Sequence, residues 1–232
     1  MRIGGFLKQS LIDYPGNIAS VVFTQACNFR CFYCHNPELV LPELINKSGS
    51  IPIDSISDYI EKNRNLLDAV VITGGEPTVH KSLPEFIQKI KSLGLKVKLD
   101  TNGTNPEMLE QLIRMNLVDY VAMDIKAPLI LEKYQKIVGK QFSFSQLENV
   151  LASIRIIQQS VIQFEFRSTL VKNIHSYDDI KQMADSVQGK IFFQKYNSVH
   201  ILQPECKSYE SYTNQELQDY LKMNKIAFLK IR

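Results

Sequence analysis

Three cysteines lie within eight residues of the chain, at Cys27, Cys31 and Cys34, in the spacing C-x3-C-x2-C. This spacing is too tight for a disulfide framework, and thiolates are soft ligands that favour zinc, copper(I) or iron–sulfur clusters. A structural zinc site needs four protein ligands, and a fully protein-ligated cubane needs four cysteines. Three thiolates on a four-iron cluster would therefore leave one iron open to a substrate. The cysteines alone leave two interpretations open, such a cluster or a zinc site completed by His35 or Cys206.

The elements that must position these cysteines follow from the pattern of apolar residues. A buried strand is predicted over 18–24, so the cysteines fall on the loop that leaves its carboxyl end. Further strands are predicted over 69–73, 95–99, 118–123, 163–170 and 191–196. Helices are predicted over 54–66, 82–92, 106–115, 130–138, 144–158, 177–187 and 214–223. Residues 1–17 are interpreted as a leading segment with a turn at 13–16, and residues 38–53 as a loop broken by prolines and a glycine.

This alternation of strands and helices predicts an α/β fold with a parallel sheet, built through right-handed crossovers. Six β/α units fall short of the eight that close a full barrel. We therefore expect a partial (β/α)6 barrel that is open along one side, with an open doubly wound sheet as the alternative. No linker divides the chain, so a single domain is predicted over 1–232, with its core at about 18–196 and a tail at 197–232 that contains a helix.

The composition is that of an ordinary globular protein. The 232 residues are 44% hydrophobic and 22% charged, and the formal net charge is +3. The basic residues are scattered, which argues against nucleic-acid binding but would tolerate an acidic protein partner. The chain has no apolar signal core and no apolar run of membrane-spanning length, so we expect a cytoplasmic protein without membrane contact. Cys206 stands apart in a polar segment and is interpreted as a plain thiol.

The predicted strands end in polar residues, and ligands bind at the carboxyl ends of the strands in parallel β/α proteins. These polar ends comprise Gly74, Gly75, Glu76, Asp100, Thr101, Asp124, Lys126 and Arg167, and the sixth strand ends near Tyr196 and Asn197. Each has an ordinary structural explanation, such as a turn, a helix cap or a surface ion pair. Those separate explanations do not predict that all of them converge on one edge of the sheet beside the cysteines.

The chemistry of this edge matches three groups of one ligand. Glu76 and Asp100 offer acceptors for an ammonium group, and Lys126 and Thr101 offer donors for a carboxylate. Asp124 offers an acceptor for ribose hydroxyls, and the paired glycines let the backbone approach a ligand closely. Ammonium, carboxylate and ribose together describe S-adenosylmethionine, whose amino acid end would chelate an open iron.

These motifs resemble those of the radical S-adenosylmethionine enzymes. The cysteine motif is followed, on the next predicted strand, by the run Gly74-Gly75-Glu76-Pro77. The runs at 33–37 (Tyr-Cys-His-Asn-Pro), 100–103 (Asp-Thr-Asn-Gly) and 124–126 (Asp-Ile-Lys) resemble the activating enzymes of glycyl-radical proteins. The run at 11–16 (Leu-Ile-Asp-Tyr-Pro-Gly) resembles the longer form of anaerobic ribonucleoside-triphosphate reductase activating proteins. The resemblance extends to about residue 196.

The resemblance implies a mechanism and a set of cofactors. Cys27, Cys31 and Cys34 would hold one [4Fe-4S] cluster, whose unique iron would bind the amino and carboxylate groups of S-adenosylmethionine. Reductive cleavage would give methionine and a 5′-deoxyadenosyl radical, which would take a hydrogen atom from a glycine of a large partner protein. The cofactors carry this chemistry, so no acid or base residue is assigned.

The resemblance also implies contacts for S-adenosylmethionine. The backbone of Tyr33 and His35, next to Asn36, would approach the adenine. The methionine ammonium would meet Gly74, Gly75 and Glu76, and the methionyl group would lie near Asp100 and Thr101. Asp124 and Lys126 would lie near the ribose and the carboxylate, and Arg167 matches less closely.

The resemblance also implies a partner protein and an electron donor, and it leaves other functions open. The expected partner is anaerobic ribonucleotide reductase; an activator of pyruvate formate-lyase or a related lyase is the nearest rival. Residues 38–68 contain no cysteine, so no further cluster is expected there and a flavodoxin or ferredoxin would supply the electron. A small-molecule radical enzyme is a further rival, and a non-catalytic, zinc-stabilised binding module is the rival from another class.

Overall fold

The computed structural model describes residues 1–188, 190–226 and 230–231. Its strands are β1 (Ile3–Ser10), β2 (Ala19–Thr24), β3 (Ala69–Gly74), β4 (Lys96–Thr101), β5 (Tyr120–Asp124), β6 (Gln163–Leu170), β7 (Ile191–Lys195) and β8 (Lys230–Ile231). Its helices are α1 (Pro37–Val40), α2 (Pro42–Ser48), α3 (Ile53–Lys62), α4 (Leu83–Ser92), α5 (Pro106–Arg114), α6 (Leu131–Val138), α7 (Phe144–Gln159), α8 (Tyr177–Ser186) and α9 (Asn214–Met223).

The described strands form one sheet in the order of the sequence, from β1 to β8. Strands β2 to β7 are mutually parallel and are the six predicted strands. Strand β1 pairs antiparallel with β2, and β8 pairs parallel with β7. The sheet therefore has two more strands than predicted, but these lie at its two edges and the sheet remains open. The predicted α/β class, with a laterally open set of parallel strands, is confirmed.

The register of the parallel strands brings the polar strand ends together. Thr24, which precedes the cysteine loop, lies opposite Gly74 at the end of β3. Asp124, at the end of β5, lies opposite Arg167 of β6. Since all these strands run the same way, their carboxyl ends share one edge of the sheet.

The helices bury one face each against the sheet. Helix α4 illustrates the pattern, since its buried residues Leu83, Phe86, Ile87 and Ile90 recur every three or four positions and so share one face. These side chains belong to the main apolar core, which also contains buried residues from each of β2 to β7. Among the described residues, no helix combines the length and hydropathy that a bilayer crossing requires.

Two segments differ from the sequence prediction. The leading segment contains β1. Residues 7–9 of this strand are exposed, so β1 lacks the continuous apolar run of an inner strand. The predicted loop over 38–53 contains α1 and α2, which begin at Pro37 and Pro42. Proline is favoured at the first position of a helix, because the N–H that it lacks has no partner there. Reading Pro42 as a breaker was therefore wrong.

Candidate active site

The cysteine loop leaves β2 through a residue in the left-handed conformation, Ala26, with φ 74°. Its amide donates to the carbonyl of Leu39 at 2.8 Å, which fixes the start of the loop against α1. Further along, the amides of Arg30 and Phe32 donate to the carbonyls of Val138 and Ile137 at 2.9 and 3.2 Å. The loop is thus held at both ends by backbone hydrogen bonds.

All three thiols of the loop line one cavity of about 240 Å³. Cys31 is buried, whereas Cys27 and Cys34 are partly exposed. Burial raises the pKa of the Cys31 thiol to about 11 and also raises the pKa values of Cys27 and Cys34. The metal-free thiols are therefore protonated at neutral pH, and metal binding must release those protons.

The spacing of these ligands bears on the choice between zinc and a cluster. A single zinc ion at about 2.3 Å from each sulfur brings its thiolates to about 3.8 Å from one another. Within the described residues, no three His, Cys, Asp or Glu side chains are grouped closely enough to hold one metal ion. In a cubane each cysteine binds a different iron, so its sulfurs stand further apart. The three thiols that line this cavity are the ones that would bind three of the four irons of a cluster.

Two glycines let the end of β3 pack directly on the chain that leads into the loop. Gly74 has φ 109°, and an added Cβ would lie 2.5 Å from the amide nitrogen of Thr24. A Cβ on Gly75 would lie 2.8 Å from the carbonyl carbon of Ala26 and would overlap its oxygen. The amides of Gly75 and Glu76 donate to the carbonyls of Thr24 and Ala26, each at 2.8 Å. Only glycine fits here without moving the base of the cysteine loop.

Glu76 lies almost completely buried beside the glycines, with 1% of its surface exposed. Its Oε1 accepts from the amide and hydroxyl of Thr78, at 3.1 and 2.6 Å, and from the hydroxyl of Thr101 at 2.7 Å. Its Oε2 accepts from the amide of Asn102 at 2.7 Å. Burial raises the pKa of Glu76, and these hydrogen bonds oppose the rise. Glu76 thus ties the end of β3 to the end of β4, and its expected contact with an ammonium group stays a prediction.

A chain of ion pairs between half-buried side chains lines the cavity. Asp100 accepts from Lys98 at 2.6 Å and from Arg167 at 3.0 Å. The same guanidinium donates through Nε to Asp124 at 2.8 Å, and Lys126 donates to the other oxygen of Asp124 at 2.9 Å. Burial would raise the pKa of Asp124, but Arg167 and Lys126 outweigh it and hold this pKa at about 2. Asp124 therefore presents an ionised acceptor at neutral pH.

Lys126 is also held through its backbone. The buried His175 donates from Nε2 to the carbonyl of Lys126 at 2.9 Å, while its Nδ1 accepts from the amide of Val171 at 3.0 Å. Burial lowers the pKa of His175, which keeps the ring neutral and suits this pair of bonds.

The structure brings every residue predicted to bind metal or cofactor to this one cavity, whereas Tyr196 and Asn197, at the end of the sixth predicted strand, do not line it. The residues brought together are Cys27, Cys31, Cys34, Tyr33, His35, Asn36, Gly74, Gly75, Glu76, Asp100, Thr101, Asp124 and Lys126. Their contacts with a ligand remain predictions. Residues that the sequence did not place in the site also line the cavity, namely Phe29, Val40, Thr73, Asn102 and Thr169, together with the less closely matched Arg167. Thr73 and Thr169 could have been found as hydroxyl side chains near the ends of the strands that carry Gly74 and Arg167.

The tail packs against the cysteine loop. The carbonyl of His200 lies 2.8 Å from Nδ1 of His35, and the amide of Gln203 donates to the carbonyl of Phe32 at 3.0 Å. A second contact joins His200 Nε2 to Glu38 at 3.1 Å. Cys206 is buried nearby but does not line the cavity.

Comparisons with known proteins agree with this geometry. The sequence model of the radical SAM superfamily matches residues 21–187. A protein of Methanocaldococcus jannaschii, named a glycyl-radical enzyme activating enzyme, is 35% identical over 188 residues, which are 80% of this chain and 75% of that protein. The pyruvate formate-lyase-activating enzyme of Clostridium pasteurianum is 26% identical over 95% of this chain and 97% of its own.

Solved structures share the fold. The crystal structure of a radical SAM methyltransferase from Sphaerobacter thermophilus superposes with a TM-score of 0.68, at 13% identity, over 94% of this chain and 67% of that chain. At this identity the likeness concerns the fold alone, which is the partial β/α barrel expected from the sequence.

Proposed function

Because the chain belongs to the radical SAM superfamily, and within it to the glycyl-radical enzyme activating enzymes, we propose that it generates the glycyl radical of an anaerobic ribonucleotide reductase. The general activity, in which an oxidoreductase activates a glycyl-radical partner protein, follows from the family. The identity of the partner is our proposal. It is supported by the run at 11–16, which is present here in full.

The observation that carries the proposal is the meeting of three thiols and a glycine cradle in one cavity. The thiols come from the loop after β2, and the cradle of Gly74 and Gly75 comes from the end of β3. The parallel register of these two strands places them side by side. A cluster and an amino acid ligand require these two features in contact.

The cofactors of the family are a [4Fe-4S] cluster bound by cysteines and S-adenosylmethionine. Cys27, Cys31 and Cys34 are the residues present that would hold the cluster. When bound, these cofactors supply one-electron cleavage of a sulfonium, which no side chain of the chain can perform. The protein binds them, orients them and limits the access of water.

We propose specific tasks for the side chains of the cavity. The backbone of Gly74 and Gly75, together with the carboxylate of Glu76, would receive the methionine ammonium. Asp124 would accept from the ribose hydroxyls, since its low pKa keeps it ionised. Lys126 would donate to the carboxylate of the ligand. Tyr33, His35 and Asn36 would border the adenine, and Asp100 and Thr101 would border the methionyl group.

A second candidate partner is pyruvate formate-lyase. It is favoured by the alignment with a pyruvate formate-lyase-activating enzyme over nearly the whole of both chains. The cavity does not separate the two partners, because both reactions would use the same cofactors and the same ligand contacts.

An anaerobic activation assay tests the proposal. The reconstituted, reduced protein is incubated with S-adenosylmethionine and with one candidate partner at a time, and the glycyl radical is measured by electron paramagnetic resonance. We expect a radical on anaerobic ribonucleotide reductase, and none when Cys31→Ser replaces the wild type. A radical on pyruvate formate-lyase alone would contradict the proposal and identify pyruvate formate-lyase as the partner.

We further propose that the chain acts in the cytoplasm as one domain, with a flavodoxin or ferredoxin as its electron donor. The packing of residues 200–203 on the cysteine loop supports assigning the tail to the same domain as the cavity.

A further inference from the structure

A second cavity, of about 570 Å³, lies outside the candidate active site and is here called the basic groove. It is bordered by the cysteine loop, by α6 and the turn that follows it, and by Gln203 of the tail. Among the residues that the structure describes, none lines both this groove and the active-site cavity. Neither the cofactor contacts nor the partner glycine proposed above uses it.

The groove lies directly behind the cysteine loop. Phe29, Cys31 and Tyr33 line the active-site cavity, while the alternate residues Arg30 and Phe32 line the groove. The two spaces therefore lie on opposite sides of one stretch of chain. The Cα atoms of Arg30 and Phe32 are each about 3.8 Å from that of Cys31, as in any trans chain. A molecule bound in the groove would lie beside Arg30 and Phe32, the two residues that flank Cys31 in the chain.

Arg30 connects the groove to the loop through hydrogen bonds. Its Nη1 donates to the carbonyl of Cys27 and to the carbonyl of Phe29, each at 2.7 Å. A cationic group thus lies against the peptide that carries the first cysteine ligand.

The charge of the groove is mostly positive. Its lining includes Arg30, Lys136 and Lys140 against the single carboxylate of Glu132. Both lysines are exposed, and no ion pair engages either of them within the described part of the chain. By contrast, Lys133 of the same helix is paired with Asp179 at 2.9 Å.

Hydrogen bonds hold the backbone of the helix end and of the turn that carry the two lysines. Gly139 follows the last residue of α6, and its amide donates to the carbonyl of Gln135 at 3.1 Å. The side chain of Gln135 then donates to the carbonyl of Phe142 at 2.8 Å, which closes the turn that carries Lys140. A fixed, unpaired basic surface is what electrostatic docking of an acidic protein requires.

We propose that the basic groove docks an acidic one-electron carrier protein that reduces the cluster, an inference that rests on the proposed function. One electron leaves the carrier, which is oxidised, and enters the cluster, which is reduced; no covalent bond forms or breaks. The active-site cavity must admit S-adenosylmethionine and the partner glycine, so the donor needs another face close to the cysteines. Redox encounters of this kind use small, weakly binding interfaces whose association is steered by charge.

The test measures the rate of cluster reduction in the reconstituted full-length protein. The variant is Lys136→Glu/Lys140→Glu, and the matched control is Lys62→Glu/Lys89→Glu, which reverses two exposed lysines on α3 and α4. Reduced flavodoxin is the acidic probe, and dithionite is the small reductant. Bleaching of the cluster absorbance is followed by stopped flow at low and moderate ionic strength.

We expect the groove variant to be reduced by flavodoxin at least about tenfold more slowly at low salt, since charge steering changes association rates by 10 to 10³. Its rate should depend less on salt than that of the wild type, because screening acts on the charges that were removed. The control should stay within about twofold of the wild type, and dithionite should reduce all three proteins equally. If the reversed variant does not fold, Lys136→Gln/Lys140→Gln carries the test with a smaller change in the same direction.

Three results would overturn the inference. Equal rates of reduction by flavodoxin for wild type and groove variant would remove the groove as the docking site. An equally slow reduction of the control would mean that the net charge of the protein, and not the groove, determines the rate. A groove variant that is reduced normally but no longer activates its partner would assign the groove to the glycyl-radical protein. Failure of the wild type to take up iron is a separate result, which contradicts the proposed function and this inference with it.

Discussion

Replacing Gly75 by alanine tests the close packing between the end of β3 and the chain that leads into the cysteine loop. The added Cβ would lie 2.8 Å from the carbonyl carbon of Ala26 and 3.3 Å from the carbonyl oxygen of Leu39. These are backbone atoms, so no side chain can rotate away to make room. Overpacking of this kind costs about 1–3 kcal/mol. Loss of the hydrogen bond from Glu76 to Ala26 would add about 1 kcal/mol.

We therefore expect Gly75→Ala to lower the free energy of unfolding by about 2–4 kcal/mol, the sum of these two effects. Because Ala26 directly precedes Cys27, the displacement should also reduce the iron that the reconstituted protein retains. Urea denaturation of the metal-free protein measures the first effect, and iron analysis after gel filtration measures the second. The matched control is Gly5→Ala, whose Cβ would have the side chain of Phe23 as its nearest neighbour, at 3.3 Å. Equal stability and iron retention in both variants would refute the steric reasoning.

Three further substitutions test the buried polar groups of the site. Arg167→Gln should cost about 2 kcal/mol at pH 7, because it leaves two half-buried carboxylates short of a charged donor; a cost below about 1 kcal/mol would contradict the ion-pair chain. The depressed pKa of Asp124 contributes stability that is complete above about pH 4 and is lost as the pH falls towards 2. Because Arg167 helps to depress this pKa, acid titrations followed by circular dichroism should show Arg167→Gln unfolding at higher pH than the wild type. His175→Phe should reduce the decline in urea stability that the wild type shows below about pH 6.5, since burial lowers the pKa of His175 and the unfolded ring binds the proton first; burial also lowers the pKa of His80, so part of the decline should remain, and an unchanged slope would place the titration elsewhere. Tyr33→Phe should leave thermal stability unchanged or raise it by up to about 1 kcal/mol, because the buried hydroxyl has no hydrogen-bond partner among the described residues, and a clear loss in a melting curve would show that a partner exists.

The inner strands and the cysteine loop were predictable because their signals are local. A strand buried on both faces is a continuous apolar run, as in 69–73, and the polar residues that follow it mark the carboxyl end. Parallel topology then brings such ends together without any knowledge of distances. This is why every residue predicted to bind metal or cofactor lines the same cavity.

Other features depend on contacts between distant parts of the chain. Strand β1 exists because its backbone pairs with β2, and its own alternation of residues is weak. The central role of Arg167 required the register that sets it opposite Asp124 and within reach of Asp100. The packing of Gln203 on Phe32 joins positions more than a hundred residues apart, and no local pattern indicates it.

We propose that Cys27, Cys31 and Cys34 hold a cluster with one iron left open for S-adenosylmethionine. The most direct test is the metal content of the full-length protein after anaerobic reconstitution with iron and sulfide, measured beside a Cys31→Ser control. The account predicts about four irons and four sulfides per chain in the wild type, and a marked loss of both in the control. One tightly bound zinc per chain, with no uptake of iron, would contradict it.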